Sequence, residues 1–241
     1  MLQVIREKIG DEESCPYLPG VQARMHYRLV DRCLPRTYQQ MLERGWRRFG
    51  RVFFRPICAA CNECRSLRLE VADFRPNRSM RRTLKHNQDL TVLLRPVSLS
   101  REHLDLYNRY HHDMEQRKDW PGKSITADDY FQTFVEGREG YGHELLCLEE
   151  NRLIAVALVD LLPDALSAVY CYYDPERRSR SLGSFSILQQ IELARSRGAS
   201  RVYLGYWIAN NPSMRYKARY RPHQILQGWP ELDEEPIWRE I

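Results

Sequence analysis

The chain has 241 residues, 43% of them hydrophobic and 29% charged, with a formal net charge of +5. That balance excludes a disordered chain and allows a sizeable core, and no run approaches the ~18 apolar residues of a membrane helix. The opening MLQVIREKIGDEES is charged throughout and has no apolar h-region, so no secretion signal is expected and the protein is expected in the cytoplasm.

Residues 21–30, VQARMHYRLV, alternate small or apolar with basic residues, as a half-buried strand does. PRTYQQMLERG (35–45) predicts a helix with Pro in its first turn and Gly at its stop. WRRFGRVFFRP follows as a hairpin about an RFGR turn. Next comes RPICAACNECRSLRL, with Cys58, Cys61 and Cys64 each three apart among arginines. Without export signals the seven cysteines are expected to be reduced thiols. Cys58, Cys61 and Cys64, with Cys15 as a fourth ligand, could hold a tetrahedral metal ion such as zinc; the alternative is thiols that are structural or line a substrate site. SLRLEVADF reads as a strand, Asn77 caps a basic helix RSMRRTLKHN, and TVLLRPV is strand again.

All but five of the 37 basic residues are Arg, and they crowd between Arg24 and Arg82, whereas the last dozen residues are acidic. The planar guanidinium suits bidentate phosphate and carboxylate contacts, so this clustering favours an anionic partner; a solvated surface is the plainer alternative.

After Val97 the pattern changes. REHLDLYNRYHHDMEQ predicts a long helix with His111 and His112 at its surface, and TADDYFQTFVEG a second with Thr126 and Asp129 as a capping box. HELLCLEE, LIAVALVDLL and SAVYCYYD make a meander, with Cys147 and Cys171 as core residues. PERRSRSLG leads into the helix SFSILQQIELARSRG, and RVYLGYWI closes the unit. The predicted class is α+β, in mixed α/β layers, with a Cys- and Arg-rich region over 1–97 and a second over 98–241.

Two stretches can carry chemistry. In the first, Arg180, Ser181, Leu182 and Gly183 precede a helix whose N–H groups and dipole attract anions, and Arg177 and Arg178 add charge. Such loops also arise by chance. The order resembles acetyltransferases of the GNAT superfamily, but Phe185 stands where their pyrophosphate loop has a small residue, which points to another acyl carrier. The second, YLGYWIANNPSMRYKARYRP, sets Tyr203, Tyr206, Trp207, Tyr216 and Tyr220 beside Arg215, Lys217, Arg219 and Arg221. Rings beside cations stack unpaired bases, although half of these rings are expected as packing.

The string YYDPE…SLGSFSILQQIELAR…YLGYWI…MRYK…P resembles the C-terminal half of arginyl-tRNA–protein transferases. The run CPYLPG…RRFGR…FRPICAACNECRSLRL…FRPNRSMRRTLKHNQDL is similar to the bacterial, leucyl-transferring branch. The resemblance spans roughly 15 to 228. It implies a GNAT-like core that moves Leu from leucyl-tRNA to the N-terminal Asp or Glu of a protein, creating a degradation signal. The aminoacyl ester is already activated, so the chemistry requires no cofactor. In this frame Asp174 is expected to orient or deprotonate the acceptor amine, with Tyr173 and Lys217 as further catalytic residues. Arg180, Ser181, Leu182, Gly183, Tyr206, Trp207, Arg215 and Tyr216 are expected to hold the tRNA end. Arg48, Arg55, Arg78, Arg81 and Arg82 are candidates for the acceptor carboxylate. A turn-forming Asp-Pro is the plainer account of Asp174. The alternative functions are a CoA-dependent N-acetyltransferase and a non-catalytic, zinc-stabilised RNA-binding module.

Overall fold

The computed structural model describes residues 2–118, 120–122, 124–137 and 140–241. Strands β1 (Leu2–Ile9), β2 (Glu13–Ser14), β3 (Gln22–Ala23) and β4 (Met25–Cys33) lead to helix α1 (Pro35–Glu43) and the hairpin β5 (Arg47–Phe49) and β6 (Val52–Pro56). Strand β7 (Arg65–Glu70), helix α2 (Arg78–His86), β8 (Thr91–Pro96), α3 (Arg101–Lys118) and α4 (Ala127–Tyr130) follow, the last continuing into a π-helical turn over Phe131–Val135. The meander β9 (Gly142–Glu149), β10 (Arg152–Leu161) and β11 (Ala165–Tyr173) precedes a 3-10 turn over Pro175–Arg180. Helix α5 (Leu182–Ser196), β12 (Arg201–Trp207), a 3-10 turn (Arg215–Arg219), β13 (His223–Leu226) and β14 (Trp238–Glu240) end the chain.

Local signals account for most of these boundaries. Pro stands in the first turn of α1, and the Asn77 side chain accepts from the Met80 N–H at 3.0 Å at the start of α2. Thr126 and Asp129 cap each other reciprocally ahead of α4. The β9–β10 turn puts Glu150 and Asn151 at φ 49° and 68°, the left-handed pair that a tight hairpin needs.

Among the described residues the longer sheet has eight strands in the order β14-β13-β7-β12-β11-β10-β9-β8, and a second sheet has the order β1-β4-β6-β5. All the strand pairs are antiparallel except β11 with β12. Strand β7, from the region before residue 97, lies between β12 and β13, and β8 forms the far edge. Residue 97 therefore divides the sequence but not the sheet.

Alternation along β10 feeds two cores. Ala157 and Val159 pack with Ile187, Leu188 and Ile191 of α5 on one face, and Val156 and Leu158 with Leu106, Tyr107 and Phe134 on the other. The smaller sheet and α1 cover the rest of that second face, where Tyr38, Trp46 and Phe53 meet Ala165 and Tyr203. His111, expected at the surface, is buried, stacked on Tyr107 at 4.1 Å and bonded to the Tyr170 hydroxyl at 2.9 Å; His112 is exposed. Cys147 is a core residue, whereas Cys171 is half-buried.

Candidate active-site cleft between the parting strands

Strands β11 and β12 pair through three residue pairs, Ala165 with Arg201, Leu166 with Val202 and Ser167 with Tyr203. Beyond these, β11 continues along β10 to Tyr173, and β12 continues along β7 to Trp207. Each carries a bulge where they part. The β10–β11 register skips Val169, and the β12–β7 register skips Leu204 just before Gly205, whose φ is +82°. A bulge sharpens the local twist, so two at one level turn the strands away from each other. Ala168, Val169, Tyr170, Cys171 and Tyr173 are half-buried as a result, although they lie on an interior strand.

The floor of this opening is Arg47, contributed by β5. The residue is 7% exposed, and its Nη2 donates to the Ala168 carbonyl. A Cβ on Gly205 would sit 3.4 Å from the same Nη2, so the bare backbone of β12 lies directly against the guanidinium. Beside it, the Lys217 ammonium donates to the Tyr206 carbonyl and reaches Met214 Sδ at 3.5 Å. Burial, and then the Arg47 charge, bring the Lys217 pKa down to about 7. Tyr206 itself is pinned by its hydroxyl to the Gly45 carbonyl at 2.8 Å and is buried, as is Trp207, which packs under Arg65 at 5.0 Å. These two rings are not presented to a base, which corrects their expected role. Tyr216 is 36% exposed and Arg215 is exposed, so both remain available to a nucleic-acid end.

Helix α5 forms the rim. Ser181 has φ 53° and no side-chain cap hydrogen bond, which leaves the first-turn N–H groups without a side-chain cap, and a Cβ on Gly183 would lie 3.5 Å from the Tyr173 ring. The arginines before the helix are engaged. Arg180 pairs with both oxygens of Asp89 at 3.0 and 2.9 Å and with Glu149 at 2.8 Å. Arg177 pairs with Glu149 at 2.7 Å, and Arg178 with Asp113. Their charges are spent within the protein, which corrects the expectation that Arg180 grips a phosphate. Leu182 and Phe185 point into the core, 0% and 2% exposed, so the bulk of Phe185 does not obstruct the helix end.

Asp174 is 1% exposed. Its Oδ1 accepts from the Glu176 N–H at 3.0 Å and its Oδ2 from Arg152 at 2.9 Å, with Arg109 at 3.8 Å. Both oxygens are committed, so the turn-forming account describes it and the proton-accepting role does not. Asp174→Asn is expected to keep the cap and hold transfer within about threefold of the parent, because Asn caps as well as Asp. A loss of about 100-fold in a transfer assay would return it to the catalytic list.

Comparison with known proteins identifies the kind of chain that carries this cleft. Residues 13–82 match the N-terminal and residues 102–227 the C-terminal part of the arginine-tRNA-protein transferases. The chain belongs to that family. It is an aminoacyltransferase, and neither alternative function is favoured. The aspartate/glutamate leucyltransferase of Campylobacter jejuni is 41% identical over 228 residues, 94% of this chain and 95% of the relative. That of Pseudomonas fluorescens is 42% identical over 227 residues, 91% and 94% of the two chains. The crystal structure of FemX aligns with 93% of this transferase and 86% of its own chain, at 8% identity and a TM-score of 0.52, a likeness of fold alone. The predicted α+β class, in mixed α/β layers, holds.

The arginines expected to meet the acceptor carboxylate are either engaged within this transferase or exposed on its surface. Arg48 is 5% exposed and chelates Asp160, with Nε to Oδ2 at 2.9 Å, while Nη1 donates to the Gly50 carbonyl at 2.9 Å. Arg55 is 2% exposed, donates to the Pro230 carbonyl at 2.9 Å and pairs with Glu231, holding the acidic C-terminal segment. Arg78, Arg81 and Arg82 are exposed on α2, away from any enclosed carboxylate site. Sequence reasoning missed Arg47. Its only signal was its place in the Arg-Arg pair of the hairpin, which does not say which of the two finds an acid.

Cys15, Cys58, Cys61 and Cys64 are free, half-buried thiols. The Cys64 thiol is pushed up to about 12 by burial and then by Cys15, Cys58 and Cys61, so the four lie in one neighbourhood. Their chemistry suits zinc or an iron–sulfur cluster, but among the described residues no three donors are placed to hold a metal ion. As placed, the four thiols do not fit a bound metal.

Proposed function

We propose that this transferase moves leucine from leucyl-tRNA to the N-terminal Asp or Glu of acceptor proteins in the cytoplasm, leaving a degradation signal at the new N-terminus. The observation that carries the reading is the cleft itself: an uncapped helix end at the rim, cations at the floor and the exposed Tyr216 at the mouth. The names and near-complete coverage of the relatives supply the leucyl group and the acidic acceptor.

The acceptor α-amine attacks the ester carbonyl carbon, the bond to the terminal ribose oxygen breaks, and an amide forms as the ribose hydroxyl leaves. The amine, with a pKa of ~7.7–8.0, gives up a proton during the step. Lys217, brought down to about 7, takes that proton in its neutral form and returns one to the ribose oxygen. N–H groups at the start of α5 face the terminal phosphate, and holding ester and amine in line supplies most of the rate.

Helix α2 continues this surface. Its C-terminal end meets the rim, where Asn87 donates to the Arg180 carbonyl at 2.9 Å and Arg180 to the His86 carbonyl at 3.2 Å. Arg78, Arg82 and Lys85 are exposed there, and among the described residues no acid pairs with them. They suit the phosphates of the acceptor stem. Replacing all three with Ala is expected to weaken leucyl-tRNA binding and reduce the slope of log K against log salt by about 2–3, with the peptide KM unchanged.

The direct test mixes the protein with labelled leucyl-tRNA and peptides beginning with Asp, Glu or Ala, with acetyl-CoA as a control donor. Label on the Asp and Glu peptides alone supports the reading. Acetylation instead, or tRNA retention without transfer, refutes it. Among the described residues no helix is long and apolar enough to cross a membrane.

A further inference from the structure

We propose that Arg47 is the acceptor-specificity residue of the cleft, binding the side-chain carboxylate of the incoming N-terminal Asp or Glu. The inference rests on the reading of the cleft as the site of leucyl transfer. It adds the residue that makes the acceptor acidic.

The first argument is charge. A buried cation is tolerated when an acid or a full set of acceptors meets it. Arg48 has Asp160, Arg55 has Glu231, and Arg68 has Gln224 at 2.7 Å and Glu70 at 3.6 Å. Arg47 alone among these four pairs with no carboxylate of the described residues. Its Nη2 has the Ala168 carbonyl, and its buried Nη1 has no partner. A guanidinium held by one neutral carbonyl, with a donor left over, is set to receive an anion.

The second argument is place. The Nη2 contact is to Ala168, the first residue of β11 after its pairing with β12 ends, and the facing wall is Gly205, which has no side chain. From Ala168 to Tyr173 at the rim is five residues of strand, about 16 Å at ~3.3 Å per residue. That span takes an aminoacyl ester and the first residue of a peptide end to end, with the ester toward α5 and the peptide's side chain toward Arg47. Lys217, whose ammonium donates to the Tyr206 carbonyl next to Gly205, lies beside Arg47 on the same opening, within reach of the α-amine of a residue whose carboxylate meets Arg47.

The third argument is discrimination. An amide of the same shape brings no charge, so Asn or Gln would leave the buried guanidinium uncompensated, and a hydrogen-bonding site rejects such analogues strongly. Acceptor choice then follows from the floor of the cleft, whatever holds the tRNA.

The experiment measures kcat/KM for leucyl transfer from one leucyl-tRNA preparation to otherwise identical peptides beginning with Asp, Glu and Asn. The enzymes compared are the full-length parent, Arg47→Gln and Arg47→Lys. The parent should prefer Asp to Asn by about 100-fold or more. Arg47→Gln should lower transfer to Asp and Glu by a similar factor, leave the KM for leucyl-tRNA unchanged, and bring the Asp/Asn ratio to about 3 or less. Should the Gln variant fail to fold, Arg47→Lys, which keeps the charge and a donor for Ala168, should raise the KM for Asp about tenfold and leave that for Asn unchanged. Equal losses on Asp and Asn in the folded variant signify a packing role alone and overturn the proposal. No transfer to Asp by the parent refutes the broader reading, whereas parental transfer with an unaltered ratio in the variants refutes only the role of Arg47.

Discussion

Lys217→Met is expected to lower leucyl transfer by about 10²–10⁴-fold without unfolding the protein. Lys217 is 8% exposed, with its ammonium among the Tyr206 carbonyl, Met214 and the nearby Arg47. Methionine has nearly the same length and suits an apolar wall, so the variant removes the amine and little else. Two pH readouts separate a chemical from a structural role. If the neutral amine accepts the proton, parental turnover rises as pH increases through about 7, and the Met variant retains only the limb of the acceptor amine at ~7.7–8.0.

Stability moves in a defined direction as well. The folded Lys217 pKa of about 7 lies below its ordinary 10.5, so between those values the unfolded chain binds more protons than the folded one. Parental stability therefore gains from this group as pH rises from about 7 toward 10.5, and its full cost is present below 7. The Met variant should exceed the parent in urea midpoint at pH 6, by a margin that narrows at pH 9. A variant that is inactive and also less stable at pH 6 would signify damaged packing and not a lost amine.

Asp160→Ala carries the largest expected loss of stability, about 3–5 kcal/mol. The Asp160 and Arg48 side chains are 1% and 3% exposed, and Tyr38 donates to Asp160 at 2.9 Å while the Arg48 guanidinium lies 4.7 Å from the Tyr141 ring centre. Removing the acid strands a cation where the smaller sheet packs on the larger. The urea midpoint should fall sharply with an unchanged m-value. Replacing both partners by apolar residues, Arg48→Met with Asp160→Leu, should recover most of the loss, since a buried pair returns little beyond its own desolvation. A single variant within about 1 kcal/mol of the parent would mean that water or a neighbour satisfies Arg48 after all.

These outcomes bear on how arginines are read from a sequence. The crowding of Arg between 24 and 82 points to an anionic partner, yet much of that charge is answered within the fold. Arg44 donates to the Glu231 and Glu234 carbonyls, at 2.9 and 3.0 Å, and Arg55 pairs with Glu231, so the acidic C-terminus seats on the basic N-terminal region. Outside that crowd the same holds for Arg180, which is tied to Asp89 and Glu149. Each of these partners is far away in the chain, and composition counts the charges without pairing them.

Local physics was legible in advance: the caps of α2 and α4, the Pro-started α1, the hairpin, the meander and the helix after the SLG turn are all set by residues within a few positions of each other. Motif order was legible too, because it survives without knowledge of contacts. Strand β1 and the closing pair β13 and β14 escaped notice, since β1 is exposed almost throughout and β13 and β14, of four and three residues, are too short to show an alternation. The tertiary structure alone decided where the strands part, because two bulges distant in sequence had to meet at one level. It alone decided which of two adjacent arginines found an aspartate and which was left facing the opening, since a buried charge takes its role from whatever the fold sets opposite it.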